Sequence, residues 1–125
     1  MSKGVILLFS RSSNISTRSR SAHQLGNSLA VLRQYYELGV RYVTLTHMCH
    51  NAFADSGGYL EPLPPKWGGL SPLGYKLVEE MNRLGIIVDL SHTSDDTARQ
   101  ALKHTKVDVT SWASRQMVTH MVYPC

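Results

Sequence analysis

Cysteine is scarce in this 125-residue chain: Cys49 and Cys125 are the only two, too few for a disulfide framework and unable to mark a redox compartment. They form no zinc knuckle. Long apolar runs are missing as well. Nothing approaches the roughly 20 consecutive apolar residues of a membrane span, so the chain as given reads as soluble, with no transmembrane segment. The patterns GxGxxG, GxxxxGKS/T, GxSxG and HExxH do not occur, which argues against nucleotide cradling, nucleophile-elbow hydrolysis and the common helical zinc protease. Acidic residues are absent from the first twenty positions.

That last gap accounts for the net charge of +4. Lys3, Arg11, Arg18 and Arg20 belong to the tail, and the other nine basic side chains are matched by nine acidic ones. No basic stripe with interleaved aromatics crosses the body, so nucleic acid is not an expected partner, because counterion release needs clustered cations. Within the tail, "GVILLF" is too short for a secretory core. Its Ser- and Arg-rich remainder has the composition of a mitochondrial presequence, while the plainer reading is a disordered or cryptic N-terminus, so localisation stays open. The remaining composition, 42% hydrophobic and 18% charged, is that of a folded chain with one core or part of one.

Periodicity then orders the elements. "HQLGNSLAVLRQYYEL", about His23 to Leu38, sets Leu25, Leu29, Leu32 and Tyr36 on one helical stripe, and Gly39 supplies the residue at which a helix stops. "VRYVTLT", residues 40–46, is β-branched and aromatic, a strand that runs into His47. A stretch of about twenty residues with paired glycines and three prolines follows, long enough to suggest a lid or binding loop. Ser71 and Pro72 form an N-cap and first-turn pair for a second helix with Leu73, Leu77, Val78, Met81 and Leu84 inward, closed by Gly85. "GIIVDLSH", residues 85–92, is a strand sealed on both faces that ends in Asp89, Ser91 and His92. A third helix begins at Thr93 or Ser94, with Asp95 and Asp96 at its positive end, and "KVDVTSW" reads as a further strand. Strands alternating with helices predict an α/β fold with a parallel sheet.

In such folds the chemistry collects at the carboxyl ends of strands, where the βα loops begin. His47 and the pair Asp89 and His92 fall there. Packing does not require two consecutive strands each to end in an imidazole. Imidazole is the commonest zinc ligand, and a catalytic zinc takes three protein ligands, so these residues supply one or two of the three. The spacing His47-x-x-His50 with Cys49 between is a weaker metal reading, since it lies at a strand end and not along a helix face. Asp89 could ligate, orient a ligand, or cap the next turn. His104 reads as a surface residue at the negative end of a helix. His23 flanks the first helix, and His120 has no clear pattern around it.

The long stretches "HQLGNSLAVLRQYYELGVRYVTLTHMCHNAFADS" and "GLSPLGYKLVEEMNRLGIIVDLSHTS" closely resemble the renal or membrane dipeptidase family, its fungal members above all. The motifs "LGVRYVTLTH", "NAFADS" and "EMNRLGIIVDLSH" carry the likeness, which runs from about Ala22 to Lys106. The resemblance implies a zinc metallopeptidase that hydrolyses dipeptides, on a (β/α)8 TIM-like barrel of the metal-dependent hydrolase type. It implies that His92, in "DLSH", is a zinc ligand and that His47, in "TLTH", contacts substrate near the scissile bond. In the family two zinc ions share a bridging carboxylate and a hydroxide.

The departures are as specific. The family's N-terminal His-x-Asp ligand pair has no counterpart, and its bridging glutamate is replaced by Arg20, a cation that would repel zinc. After Lys106 the family has a strand ending in "SHSS", whose histidine is another ligand, whereas "VDVTSWASRQ" has none. The expectation is a tail over residues 1–21, a partial dipeptidase barrel over 22–106 and a divergent C-terminus over 107–125. That is the pattern of a truncated gene model or altered splice product. The expected function is that of a dipeptidase fragment without activity of its own, and the alternative is a noncatalytic remnant or interaction module. Expected partners are a dipeptide and, if several chains assemble, further copies of this one.

Overall fold

The computed structural model describes residues 22–58, 63–106 and 109–110. The tail with its targeting reading, Arg20, and the C-terminal stretch after Thr110 lie outside the described residues. Three parallel strands, β1 (Tyr42–Thr44), β2 (Ile87–Asp89) and β3 (Val109–Thr110), form one sheet in the order β1-β2-β3. Three helices, α1 (Leu29–Glu37), α2 (Pro72–Leu84) and α3 (Asp95–His104), alternate with them. The parallel pairing and the mixed α/β order are those expected from the periodicity.

Register divides the sheet into two chemically distinct faces. Tyr42 pairs with Ile87, Val43 with Val88 and Thr44 with Asp89, and neighbours in register share a face. Val43, Leu45, Ile86, Val88 and Leu90 join one apolar core with Leu32 of α1, Leu77, Val78 and Met81 of α2, and Ala101 of α3. All three helices therefore cover that face. Tyr42, Thr44 and Asp89, on the opposite face, are also buried but stand outside this core. The Tyr42 hydroxyl has no hydrogen-bond partner among the described residues. Burial, helped by the charge of Asp89, pushes its phenol above the ordinary range.

Local chemistry fixes the helix ends. Ser71 accepts the Gly74 N–H at 3.0 Å and Pro72 opens α2. Left-handed Gly85 (φ 75) closes it, with the Ile86 N–H returning to Met81 O at 2.9 Å. Gly39 (φ 102) ends α1 in the same manner, with the Val40 N–H on Tyr35 O. The first predicted helix is corrected in one respect: it is broken into a 3-10 turn, Ala22–Leu25, and α1. Gly26 (φ 55) and Asn27 (φ 60) both take the left-handed conformation, which no helix can contain, so the stripe restarts after Ser28. Among the described residues no helix is long and apolar enough to cross a membrane.

Glu80 ties α1 to α2. Its carboxylate accepts Arg33 Nε at 2.6 Å and Arg83 Nε and Nη2 at 2.9 and 2.6 Å. The hydrogen bonds from Arg83 and then Arg33 outweigh burial and hold its pKa down from 4.5 to about 2. A depressed folded pKa contributes stability that is present above the unfolded value and lost as pH falls through the folded one. Wild type is therefore expected to lose stability between pH 4.5 and about 2, whereas Glu80→Gln, already without the charge, loses less across that window, the remainder coming from groups such as Asp55. The contribution is about 1–2 kcal/mol at neutral pH, since both arginines are more than half exposed and solvent screens the pair. Thermal midpoints measured against pH for the two proteins check it.

Candidate active site

His47 and His92 follow β1 and β2 at their carboxyl ends, and their rings meet with centroids 4.5 Å apart and planes tilted by 53°. Parallel pairing makes this possible, because it brings the ends of consecutive strands to one edge of the sheet. The two imidazoles singled out in the sequence are thus brought together.

Asp89 caps the turn before His92, one of the three roles expected of it. Its Oδ1 accepts Ser91 N–H at 3.0 Å and Ser91 Oγ at 2.7 Å, and its Oδ2 accepts Thr44 Oγ1 at 2.8 Å. These bonds fix the turn that carries His92. His92 itself has φ 61, a left-handed conformation uncommon for residues other than glycine, though asparagine, aspartate and histidine enter it more often than the rest. Its carbonyl accepts from Gly57 N at 2.9 Å, Thr46 Oγ1 at 2.9 Å and Ser56 Oγ at 3.2 Å, which is how the surroundings hold the strain. Burial lowers the His92 pKa, partly opposed by the charge of Asp89. The neutral ring that results is the form in which imidazole donates an electron pair.

A backbone that suits glycine but carries histidine is held for its side chain. His92→Gly is therefore expected to raise stability by about 0.5–1 kcal/mol while removing the imidazole. Urea unfolding midpoints decide it. A loss of stability would mean that packing of the ring keeps histidine there.

The described residues of the expected lid or binding loop are pinned in place. Asn51, Phe53, Ala54, Asp55 and Ser56 are all buried. Asn51 Nδ2 donates to Leu45 O at 2.7 Å, and its Oδ1 accepts the N–H groups of Phe53 and Ala54. Asp55 accepts four backbone N–H groups, from Lys66 at 3.2 Å, Trp67 at 3.0 Å, Gly68 at 2.9 Å and Gly69 at 3.2 Å. Burial would raise its pKa, but these bonds together hold it below the usual carboxylate range. Gly68 (φ 73) and Gly69 (φ 126) take the conformations that turn successive N–H groups onto one acceptor. The glycine pair was visible in the sequence; its acceptor, more than ten residues earlier, was not.

Both ring nitrogens of His50 have hydrogen-bond partners. Its Nδ1 accepts Ser56 N–H at 2.9 Å and its Nε2 lies 2.7 Å from Pro64 O, so Nε2 carries the proton and both nitrogens are engaged. Nδ1 also lies 3.4 Å from an Asp55 carboxylate oxygen. Cys49 is disulfide-bonded and offers no thiolate. His23 hydrogen-bonds the Cys49 backbone, and burial lowers its pKa more than that bond raises it. His104 is a structural residue between Glu79, 3.2 Å away, and the edge of Tyr75. Among the described residues no three His, Cys, Asp or Glu side chains converge as a metal-holding group.

An α/β sheet with this site edge is similar to solved hydrolase structures. The probable dipeptidase PvdM from Pseudomonas aeruginosa is 35% identical with a TM-score of 0.63, over 68% of this chain and 22% of that one. An amidohydrolase from the same organism is 30% identical with a TM-score of 0.61, over 70% of this chain and 25% of that one. The sequence model of the family described as membrane dipeptidase, peptidase family M19, matches residues 14–121, and the chain belongs to that family. The match is wider than the stretch carried by the quoted motifs. Dipeptidase aclJ of Aspergillus oryzae is 55% identical over 87 residues, which are 70% of this chain and 20% of the relative. Dipeptidase 3 of Rattus norvegicus is 47% identical over 88 residues, 70% and 18% respectively. The chain spans about a fifth of the length of these curated relatives.

Proposed function

We propose that residues 22–106 are a segment of a zinc-dependent dipeptidase built as a (β/α)8 barrel, flanked by a tail over 1–21 and a divergent stretch over 107–125. In this reading His92 is a metal ligand, His47 contacts the dipeptide, and the reaction of the whole protein is hydrolysis of the dipeptide bond. The observation that carries it is the meeting of two imidazoles at the carboxyl ends of adjacent parallel strands, in a chain of the membrane dipeptidase family. Tyr42, Thr44 and Asp89 lie on the sheet face opposite the three helices, which is where the interior of such a barrel would be. Zinc, when bound in such a site, supplies an activated water and polarises the carbonyl. The described residues do not amount to a zinc site, because Asp89, Asp55 and His50 are already engaged and no third donor joins His47 and His92. This chain's own groups hold and orient the two imidazoles. The same shortage supports the second reading, that the chain by itself is a noncatalytic member of its family.

A chimera separates ancestry from activity. The 87-residue matched segment of this chain, placed into the Aspergillus oryzae dipeptidase, is expected to support dipeptide hydrolysis. His92→Ala in that chimera is expected to lower kcat/KM about a hundredfold or more. A folded, zinc-loaded chimera that is inactive, or one indifferent to His92→Ala, overturns the assignment.

A further inference from the structure

One hydroxyl reaches the carbonyls of both histidines. Ser56 Oγ lies 2.5 Å from His47 O and 3.2 Å from His92 O, and it accepts the Gly58 N–H at 3.0 Å. A hydroxyl has one proton, so the two carbonyls share it, while the Gly58 N–H occupies a lone pair and aims the group. Ser56 is itself fixed on its other side: its N–H donates to His50 Nδ1 at 2.9 Å, and it forms an antiparallel bridge with Thr93. The other donors to the His92 carbonyl, Gly57 N and Thr46 Oγ1, tie it to residues beside the pair. Ser56 thus contacts the carbonyls of both imidazole-bearing residues.

We propose that Ser56 is the positioning residue of this pair: its hydroxyl draws the loop after β1 and the loop after β2 together and thereby sets the spacing of the His47 and His92 rings. The proposal rests on reading His47 and His92 as the functional pair. The two residues lie 45 positions apart in the chain, and a fold can bring strand ends to one edge without fixing the distance between two side chains there. Ser56 reaches nine positions back to one loop and 36 forward to the other. Its loss would loosen the pair and spare the sheet, because the Thr44 to Asp89 bond and the strand register do not pass through Ser56.

The test uses the whole 125-residue chain and NMR, with neither metal nor dipeptide added, so that it stands apart from the catalytic reading, which the chimera tests. Rings 4.5 Å apart give a cross-peak between the imidazole protons of His47 and His92. Ser56→Ala is expected to weaken that peak about threefold or more, the steep response to a widening of about 1 Å, while cross-peaks between β1 and β2 persist. Thr93→Val, which removes a hydroxyl bound to Leu90 O in the same turn, is expected to leave the ring peak intact. Ser56→Cys keeps the volume but substitutes a weak donor, and it decides the matter should Ser56→Ala fail to fold. A ring peak of unchanged intensity in either folded Ser56 variant overturns the proposal. So does failure of both to fold, which would make Ser56 a determinant of the fold and not of the pair.

Discussion

Gly74→Ala is expected to destabilise the protein by about 3 kcal/mol or more, out of proportion to one added methyl group. Gly74 lies in the first turn of α2, where alanine would ordinarily be the better helix former. A Cβ there would lie 1.9 Å from Phe53 O and 2.9 Å from Phe53 C, and these are backbone atoms. They cannot swing aside, because Phe53 O accepts Ser71 N–H at 2.8 Å and Ser71 Oγ donates to Ala52 O at 2.5 Å. The helix start and the loop after β1 are therefore locked backbone to backbone, and the alanine must force them apart. Two controls frame the result. Gly85→Ala meets nothing within 4 Å and carries only the strain of φ 75, which costs about 1 kcal/mol. Ser71→Ala loses both the cap and the bond to Ala52 O, together worth about 2 kcal/mol. Urea midpoints for the three variants should place Gly74→Ala well below the other two. A Gly74→Ala midpoint level with Gly85→Ala would show that the loop does not rest on the helix.

Whatever depends on neighbouring residues was legible in advance. Ser71, Pro72 and Gly85 mark the ends of α2 because caps are local chemistry, and the strands were legible because β-branched runs between helices leave few alternatives to parallel pairing. The break at Gly26 and Asn27 was missed because the apolar stripe continues across it: Leu25 and Leu32 are both buried, and a periodicity count does not register two left-handed residues between them. How the loop is held was not legible for a different reason. Its glycines and prolines signal irregular backbone, but whether such backbone moves depends on where its N–H groups go, and those of residues 66–69 go to Asp55. The two histidines were readable as strand-end residues. The atom contacts that hold them, from Thr46, Ser56 and Gly57 to His92 O, span 35 or more positions and leave no local trace.

The chain of 125 residues, expressed alone and dialysed against zinc, is expected to show no dipeptide turnover at a rate comparable with a full-length relative, for all its family membership. A catalytic zinc takes three protein ligands and keeps one position open. Candidate by candidate, the described residues fall short of that number. Asp55 is enclosed by four N–H groups, and releasing it would dismantle the loop that positions both histidines. Asp89 holds the turn before His92, so drawing it toward a metal would sacrifice Ser91 and Thr44 together. His50 uses both ring nitrogens, and Cys49 is in a disulfide. His92 and His47 remain, and two imidazoles without a carboxylate give neither the ligand count nor the charge to hold a pair of divalent ions. Zinc titration followed by calorimetry should accordingly give weak binding, and a panel of dipeptides should give background rates that His92→Ala does not change. Tight binding of two zinc ions, with turnover abolished by His92→Ala, would instead show that ligands arrive from elsewhere. Sedimentation of the zinc-loaded sample would then tell whether other copies of the chain supply them, since a site completed by assembly must appear together with an oligomer.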